Sequence, residues 1–197
     1  MLLNADVSVE IPAAGRVAEQ GADGVVIACC PGLNEVGDRW EDGRLCVASE
    51  HLASSLLRSL LGGLLRPMSA AAQAPPILFT TPPGERHELG ALIAAVSTID
   101  AGGLAIFLGP DLPFAEVALA AAASGAAAVA IGVCQRDGAV PSALLGNLRE
   151  LMPSHVELWV GGRGASDLAL PPGSARVADL DELERKVALL GLRNAAA

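Results

Sequence analysis

The sequence has no tyrosine, and only 3% of its residues are aromatic. The interior must therefore be filled by Ala, Leu and Val, which favours small-residue helices packed on a sheet. Lysine occurs once, as Lys186, and the net charge is -9. With no cluster of Lys and Arg, a phosphate-binding surface for direct nucleic-acid binding is not expected. There is no apolar run of about 18 residues, so no membrane span is expected. The first residues, MLLNADVSVEIP, lack a basic stretch followed by an apolar one, and the chain reads as cytoplasmic. The four cysteines, Cys29, Cys30, Cys46 and Cys134, form no C-x-x-C pair. Adjacent Cys29 and Cys30 would point about 100° apart on a helix, a poor metal clip, so the cysteines read as small buried hydrophobes. Neither a G-x-G-x-x-G fingerprint after the first strand nor a G-x-x-x-x-G-K-[ST] loop is present.

What is present divides into two halves. Residues 1–66 read as helical. Pro12 can open a first helix and Gly21 close it, Pro31 interrupts the apolar stretch 22–36, and a long helix runs from about Leu45 to Leu65. Residues 67–76 have the composition of a linker. From residue 77 to 197 short apolar runs alternate with helical stretches. Strands are expected at 77–81, 104–108, 127–133, 156–160 and near 175–177, with helices at 86–101, 114–123, 141–151 and 180–191. This alternation predicts an α/β domain with a five-stranded parallel sheet, flavodoxin-like (Rossmann-type) in class. Ligands of such sheets sit outside the carboxyl ends of the strands. That edge holds Thr81, Gly84, Glu85, Arg86 and His87 after the first strand and Gly109 after the second. Gly132 and Val133 end the third strand, and Gly161 and Gly162 follow the fourth.

His87 is one of only three histidines. A helix start favours a neutral imidazole, the form that binds metal, and a carboxylate such as Glu85 can hold the other ring N–H. Alone, His87 equally fits a packing or capping residue, and Gly161-Gly162 an ordinary turn. In the helical half, Leu52, Leu56, Leu60 and Leu64 line one flank of the long helix, and Leu57 and Leu61 widen it. His51 falls in the remaining sector with Val47, Ser54, Ser55 and Arg58, which by itself reads as a solvated face. His155 has no partner pattern and reads as a surface residue.

Two constellations carry a resemblance. Glu85-x-His87-x-x-Gly90, with Gly161-Gly162 after the fourth strand, resembles the D-x-H-x-x-G signature of cobalamin-binding domains, with Glu for Asp. The third strand reads Ile131-Gly132-Val133 and lacks that family's serine, leaving the nucleotide tail one hydroxyl short. Upstream, Trp40 is followed after nine residues by Glu50-His51. With GERHELG downstream, this closely resembles the light-sensing cobalamin domains of the CarH/LitR type. The resemblance implies that residues 1–66 form a helical bundle cap over a corrin bound by residues 77–197. It makes His87 the lower axial cobalt ligand and His51 the upper ligand after photolysis. Trp40 and Glu50 would contact the adenosyl group of adenosylcobalamin, with Val47 and Ser54 beside them. The edge residues named above would hold the rest of the cofactor. A bilin is a further chromophore in some relatives, although no residue here marks a site for one.

The function so implied is that of a photoreceptor rather than an enzyme: light cleaves the cobalt–carbon bond and a bis-His state signals. Regulators of this type usually carry a winged DNA-binding domain, which this sequence does not show. Transcription regulation would then pass through a homo-oligomer, a partner regulatory protein or a domain outside this sequence. The alternatives are a corrinoid carrier module of a methyltransferase or mutase system, a haem-binding relative, and an interaction module that binds no tetrapyrrole. The W-x9-E-H spacing argues against the carrier, because methyl transfer needs an open upper face.

Overall fold

The computed structural model describes residues 47–69, 74–134 and 142–195. Trp40, Cys29, Cys30, Cys46 and the expected helices before residue 47 lie outside the described residues. The chain divides into two compact units, Met1–Leu64 and Leu65–Ala197.

In the first unit the described element is helix α1, which runs Val47–Ser69 and passes the unit boundary. It extends past Arg66, where a linker is expected, so the first residues of that stretch are helical. Ala53, Leu57 and Leu61 are buried and, at spacing i, i+4, i+8, form one line along the helix. Of the expected flank, Leu52 and Leu56 are instead exposed, and Leu60 and Leu64 half-buried. Periodicity groups leucines on a face but does not say which of two adjoining apolar faces is covered.

The second unit is an α/β sandwich. Its strands are β1 (Pro76–Thr80), β2 (Leu104–Phe107), β3 (Ala128–Gly132), β4 (Glu157–Gly161) and β5 (Ser174–Val177). Its helices are α2 (Leu89–Asp100), α3 (Phe114–Ser124), α4 (Ser142–Leu151) and α5 (Leu180–Ala195). All strand pairs are parallel, in the order β2-β1-β3-β4-β5. This is the doubly wound flavodoxin-like order, and it reverses direction between β1 and β3.

Alternation along the strands supplies two cores. Ile77 and Phe79 of β1 join Ala95 and Ile99 of α2, Trp159 of β4, and Leu183 and Val187 of α5 on one face. Leu78 joins Val117 and Ala121 of α3, Ile131 of β3, Leu145 and Leu148 of α4, and Leu158 and Val160 of β4 on the other. A strand covered on both faces must be apolar throughout, which is why β1 reads as an unbroken run. Burying each large aliphatic or aromatic side chain contributes about 1.5–3 kcal/mol. Small residues let the layers approach, as expected from the alanine-rich composition: Ala95, Ala121 and Ala128 are almost completely buried. Among the described residues no helix is long and apolar enough to cross a membrane.

Candidate functional site at the β1–β3 switch point

The loop after β1 is Thr81-Pro82-Pro83-Gly84-Glu85-Arg86-His87-Glu88. Two prolines end the strand, and the Glu85 N–H donates to the Pro82 carbonyl at 3.0 Å, closing a turn. Helix α2 begins at Leu89, three residues later than the sequence suggests. The cause is the Glu85 side chain, whose Oε1 accepts the His87 N–H at 2.9 Å and draws residues 85–87 into a local turn instead of a helical one. His87 therefore sits in the loop, one residue before the helix cap Glu88.

Glu85 is the centre of the site. Its side chain is 2% exposed, while that of His87 is 59% exposed. Oε1 lies 2.6 Å from His87 Nδ1. Oε2 accepts the backbone N–H of Cys134, beyond β3, at 3.1 Å. A carboxylate that accepts backbone N–H groups on both oxygens is an acceptor toward the imidazole as well, which assigns the ring proton to Nδ1. Nε2 is then the nitrogen that presents a lone pair, on a largely exposed ring at the ligand edge. This is the arrangement by which a carboxylate orients a metal-binding histidine and increases its basicity. The bond from Glu85 to Cys134 spans β1 and β3, where the strand order reverses and ligands of this fold bind.

The β3 and β4 loops are joined through Val133. Its N–H donates to the Gly161 carbonyl at 2.8 Å, and its carbonyl accepts the Gly164 N–H at 3.0 Å. Gly162 lies alongside at φ 99°, where a Cβ would collide with the Val133 carbonyl oxygen. The glycine pair is thus tied to a close backbone approach as well as a turn. At Gly132 an added Cβ would meet Ala91 Cβ at 3.1 Å, so a side chain here would require helix α2 to give by a few tenths of an ångström. The residue beyond β3 that reaches the Glu85–His87 pair is Cys134, two positions further on. The sequence places Cys134 at this edge but not its bond to Glu85, because the reach of a buried carboxylate over 49 positions leaves no local signal. Cys134 is only partly buried, in contrast to the buried cysteine expected.

The β2 loop completes the edge. Thr80 Oγ1 donates to the Gly109 carbonyl at 2.7 Å. Thr81 Oγ1 donates to the Glu85 carbonyl and accepts the Asp111 N–H, the latter at 2.9 Å. Thr81 is completely buried, Arg86 is exposed beside His87, and Gly90 is exposed in the first turn of α2. The structure thus brings Thr81, Gly84, Glu85, Arg86, His87, Gly109, Val133, Gly161 and Gly162 to one edge of the sheet. On α1, His51 is exposed and Ser54 half-buried. The side chains of Val47 and Glu50 lie outside what is described, and His155 is exposed away from this edge, at the start of β4.

The donor set fits a metal whose other ligands come with a macrocycle. One imidazole, oriented from behind by a buried carboxylate, stands above glycine-rich loops that let a large planar group approach.

Comparison with known proteins agrees with this chemistry. Residues 18–64 match the family described as B12 binding domain. The chain is 34% identical over 136 residues to the HTH-type transcriptional repressor CarH of Myxococcus xanthus, covering 68% of this chain and 45% of that protein. It is 29% identical over 140 residues to a 20.5 kDa protein encoded in the bchF-crtJ intergenic region of Rhodobacter capsulatus, covering 72% of that protein. The fold is similar to that of the monomethylamine corrinoid protein of Methanosarcina barkeri, with TM-score 0.63 and 15% identity over 91% of this chain and 88% of that one. The chain spans less than half the length of the CarH repressor. Over residues 18–64 the chain is thus similar to the B12 binding domain family, and over 68% of its own length to the CarH repressor.

Proposed function

We propose that this chain is a light sensor that binds adenosylcobalamin and passes its signal by a change of conformation or assembly. The observation that carries the reading is the Glu85–His87 pair, whose 2.6 Å contact fixes an imidazole at the β1–β3 switch point. His87 would hold the cobalt through Nε2 in place of the cofactor's own nucleotide base. Glu85 holds the ring in place and keeps the Nδ1 proton. Gly132, Val133, Gly161 and Gly162 offer backbone to the displaced tail, while Thr81, Gly84, Arg86, Gly90 and Gly109 frame the approach. Adenosylcobalamin supplies a cobalt–carbon bond that light breaks.

The sensor role rests on the first unit. The spacing of Trp40, Glu50 and His51 resembles the light-sensing class, and the B12-binding family match falls on residues 18–64. By that resemblance Trp40, with Glu50, Val47 and Ser54, would contact the adenosyl group. His51 would supply a second imidazole to the metal in the lit state. Ligation by His51 in one state only supplies the free-energy difference that biases the two conformations. The output is a partner regulatory protein or a homo-oligomer.

The test is anaerobic reconstitution with adenosylcobalamin in the dark, then green light, followed by absorption spectra and size measurements. A sensor gives a base-off dark spectrum and a stable lit product that His51→Ala weakens without loss of dark binding. A corrinoid carrier would bind through His87 and settle into no stable bis-His product. A lit spectrum in His51→Ala identical to that of the wild type would remove the upper-ligand assignment. A second chromophore of bilin type would show as absorption that persists after cobalamin is removed.

A further inference from the structure

We infer that Asp111, in the β2 loop, is a positioning residue for His87 and preforms the His-bearing loop before cobalamin arrives. The inference rests on His87 being the metal-binding residue proposed above. Among the described residues Asp111 is the one non-glycine residue with positive φ, at 58°. Side chains seldom adopt that region, Asp and Asn being the most tolerant of it, and they hold it where the surroundings fix it.

Two hydrogen bonds fix it here. The Asp111 N–H donates to Thr81 Oγ1 at 2.9 Å, and Asp111 Oδ1 accepts the Gly84 N–H at 2.7 Å. Thr81 Oγ1 in turn donates to the Glu85 carbonyl. The backbone is therefore gripped at Gly84 N and at Glu85 O, on both sides of the Glu85 α-carbon. That residue's carboxylate aligns the imidazole at 2.6 Å. The hydrogen bonds of Asp111 go to Gly84 and Thr81 and not to the ring. It acts by holding the Glu85 backbone, so the carboxylate enters its buried site from a fixed direction. Gly84, at φ 84°, has no side chain to stiffen the loop. A clamp from a neighbouring loop supplies that stiffness, and a loop ordered in advance loses less affinity on binding.

Backbone conformation and side-chain acceptor can be separated by substitution. Asp111→Gly accommodates positive φ and keeps the N–H that reaches Thr81, but removes the acceptor for Gly84. Asp111→Asn keeps all three features. Three quantities would be measured on the full chain: amide hydrogen exchange of the cobalamin-free protein at residues 84–88, dark adenosylcobalamin affinity by equilibrium dialysis, and the spectrum at saturation. In Asp111→Gly, amides 84–88 should exchange roughly tenfold faster while those of β1 and β3 are unchanged. Affinity should fall about five- to twentyfold with the saturated spectrum unaltered, because His87 is still present. Asp111→Asn should stay within about twofold of wild type in both.

Wild-type exchange and affinity in Asp111→Gly would overturn the inference. So would Asp111→Asn behaving like Asp111→Gly, because the acceptor oxygen would then be irrelevant. Faster exchange spread over the whole chain would also overturn it, by making the residue a general stabiliser. If His87→Ala binds cobalamin as tightly as wild type, the metal-ligand reading fails. The exchange at residues 84–88 still decides the clamp in that case.

Discussion

The two histidines proposed as cobalt ligands sit in different settings. His87 belongs to a loop whose geometry is set by three other segments. Glu85 orients the ring, Cys134 holds Glu85 from beyond β3, Thr81 at the end of β1 holds the Glu85 carbonyl, and Asp111 of the β2 loop holds Gly84 and Thr81. His51 lies on a single helix, α1, where the helical repeat sets its place among Ser54, Ser55 and Arg58. A residue fixed by tertiary hydrogen bonds is ready to ligate as soon as the sheet folds. A residue carried on a helix is repositioned when the helix moves. That division suits a permanent lower ligand and a conditional upper one.

The largest effect that tests this contrast is His87→Ala. Dark binding of cobalamin should fall at least about 100-fold, because the ligand itself is lost and not merely its support. Spectra and dialysis would show it, and intact base-off binding would erase the distinction between the two histidines. Glu85→Gln comes next, with a loss of about 10–100-fold in dark affinity, since the amide offers a single acceptor oxygen where the carboxylate has two. Far-UV circular dichroism should remain that of wild type. If Glu85→Gln binds normally, the ring is not held by the carboxylate.

Gly162→Ala reaches the same pair indirectly. A Cβ there must push Val133 and its neighbour Cys134, the donor to Glu85 Oε2. We expect about 1–3 kcal/mol of lost stability by urea unfolding and a several-fold weaker cobalamin affinity. A stability loss without any change in affinity would uncouple the β4 loop from the histidine. The smallest effect in the dark belongs to His51→Ala, with affinity and stability within about 0.5 kcal/mol of wild type, as for an exposed helical side chain. A large dark defect would mean that His51 is held as firmly as His87.

Much of the sheet half was legible in the sequence. Strand positions agree within about two residues, as unbroken apolar runs between helical stretches allow. Asp179 precedes α5 and its Oδ1 accepts the Glu182 N–H at 2.8 Å, a start signal that local sequence carries. The loop before α2 was less legible. Propensity places a helix from residue 86, but the Glu85 carboxylate competes for the His87 N–H and delays the helix to Leu89. The Leu52 and Leu56 flank was legible as a stripe but not as an exposed one. In the candidate site, the chemistry of Glu85, His87 and the glycine pair could be read directly. Cys134 and Asp111 could be placed at the edge but their roles could not be read, because their partners are brought close only by folding.

The sequence by itself determined the fold class and the identity of the ligand-edge residues. Hydrophobic period and turn chemistry are local properties, and parallel strands must end their loops on one side. Only the tertiary structure decided which partner each of those residues has. A buried carboxylate takes its donors from whatever backbone lies within about 3 Å, and the topology β2-β1-β3 brings residues 85, 111 and 134 to one edge of the sheet.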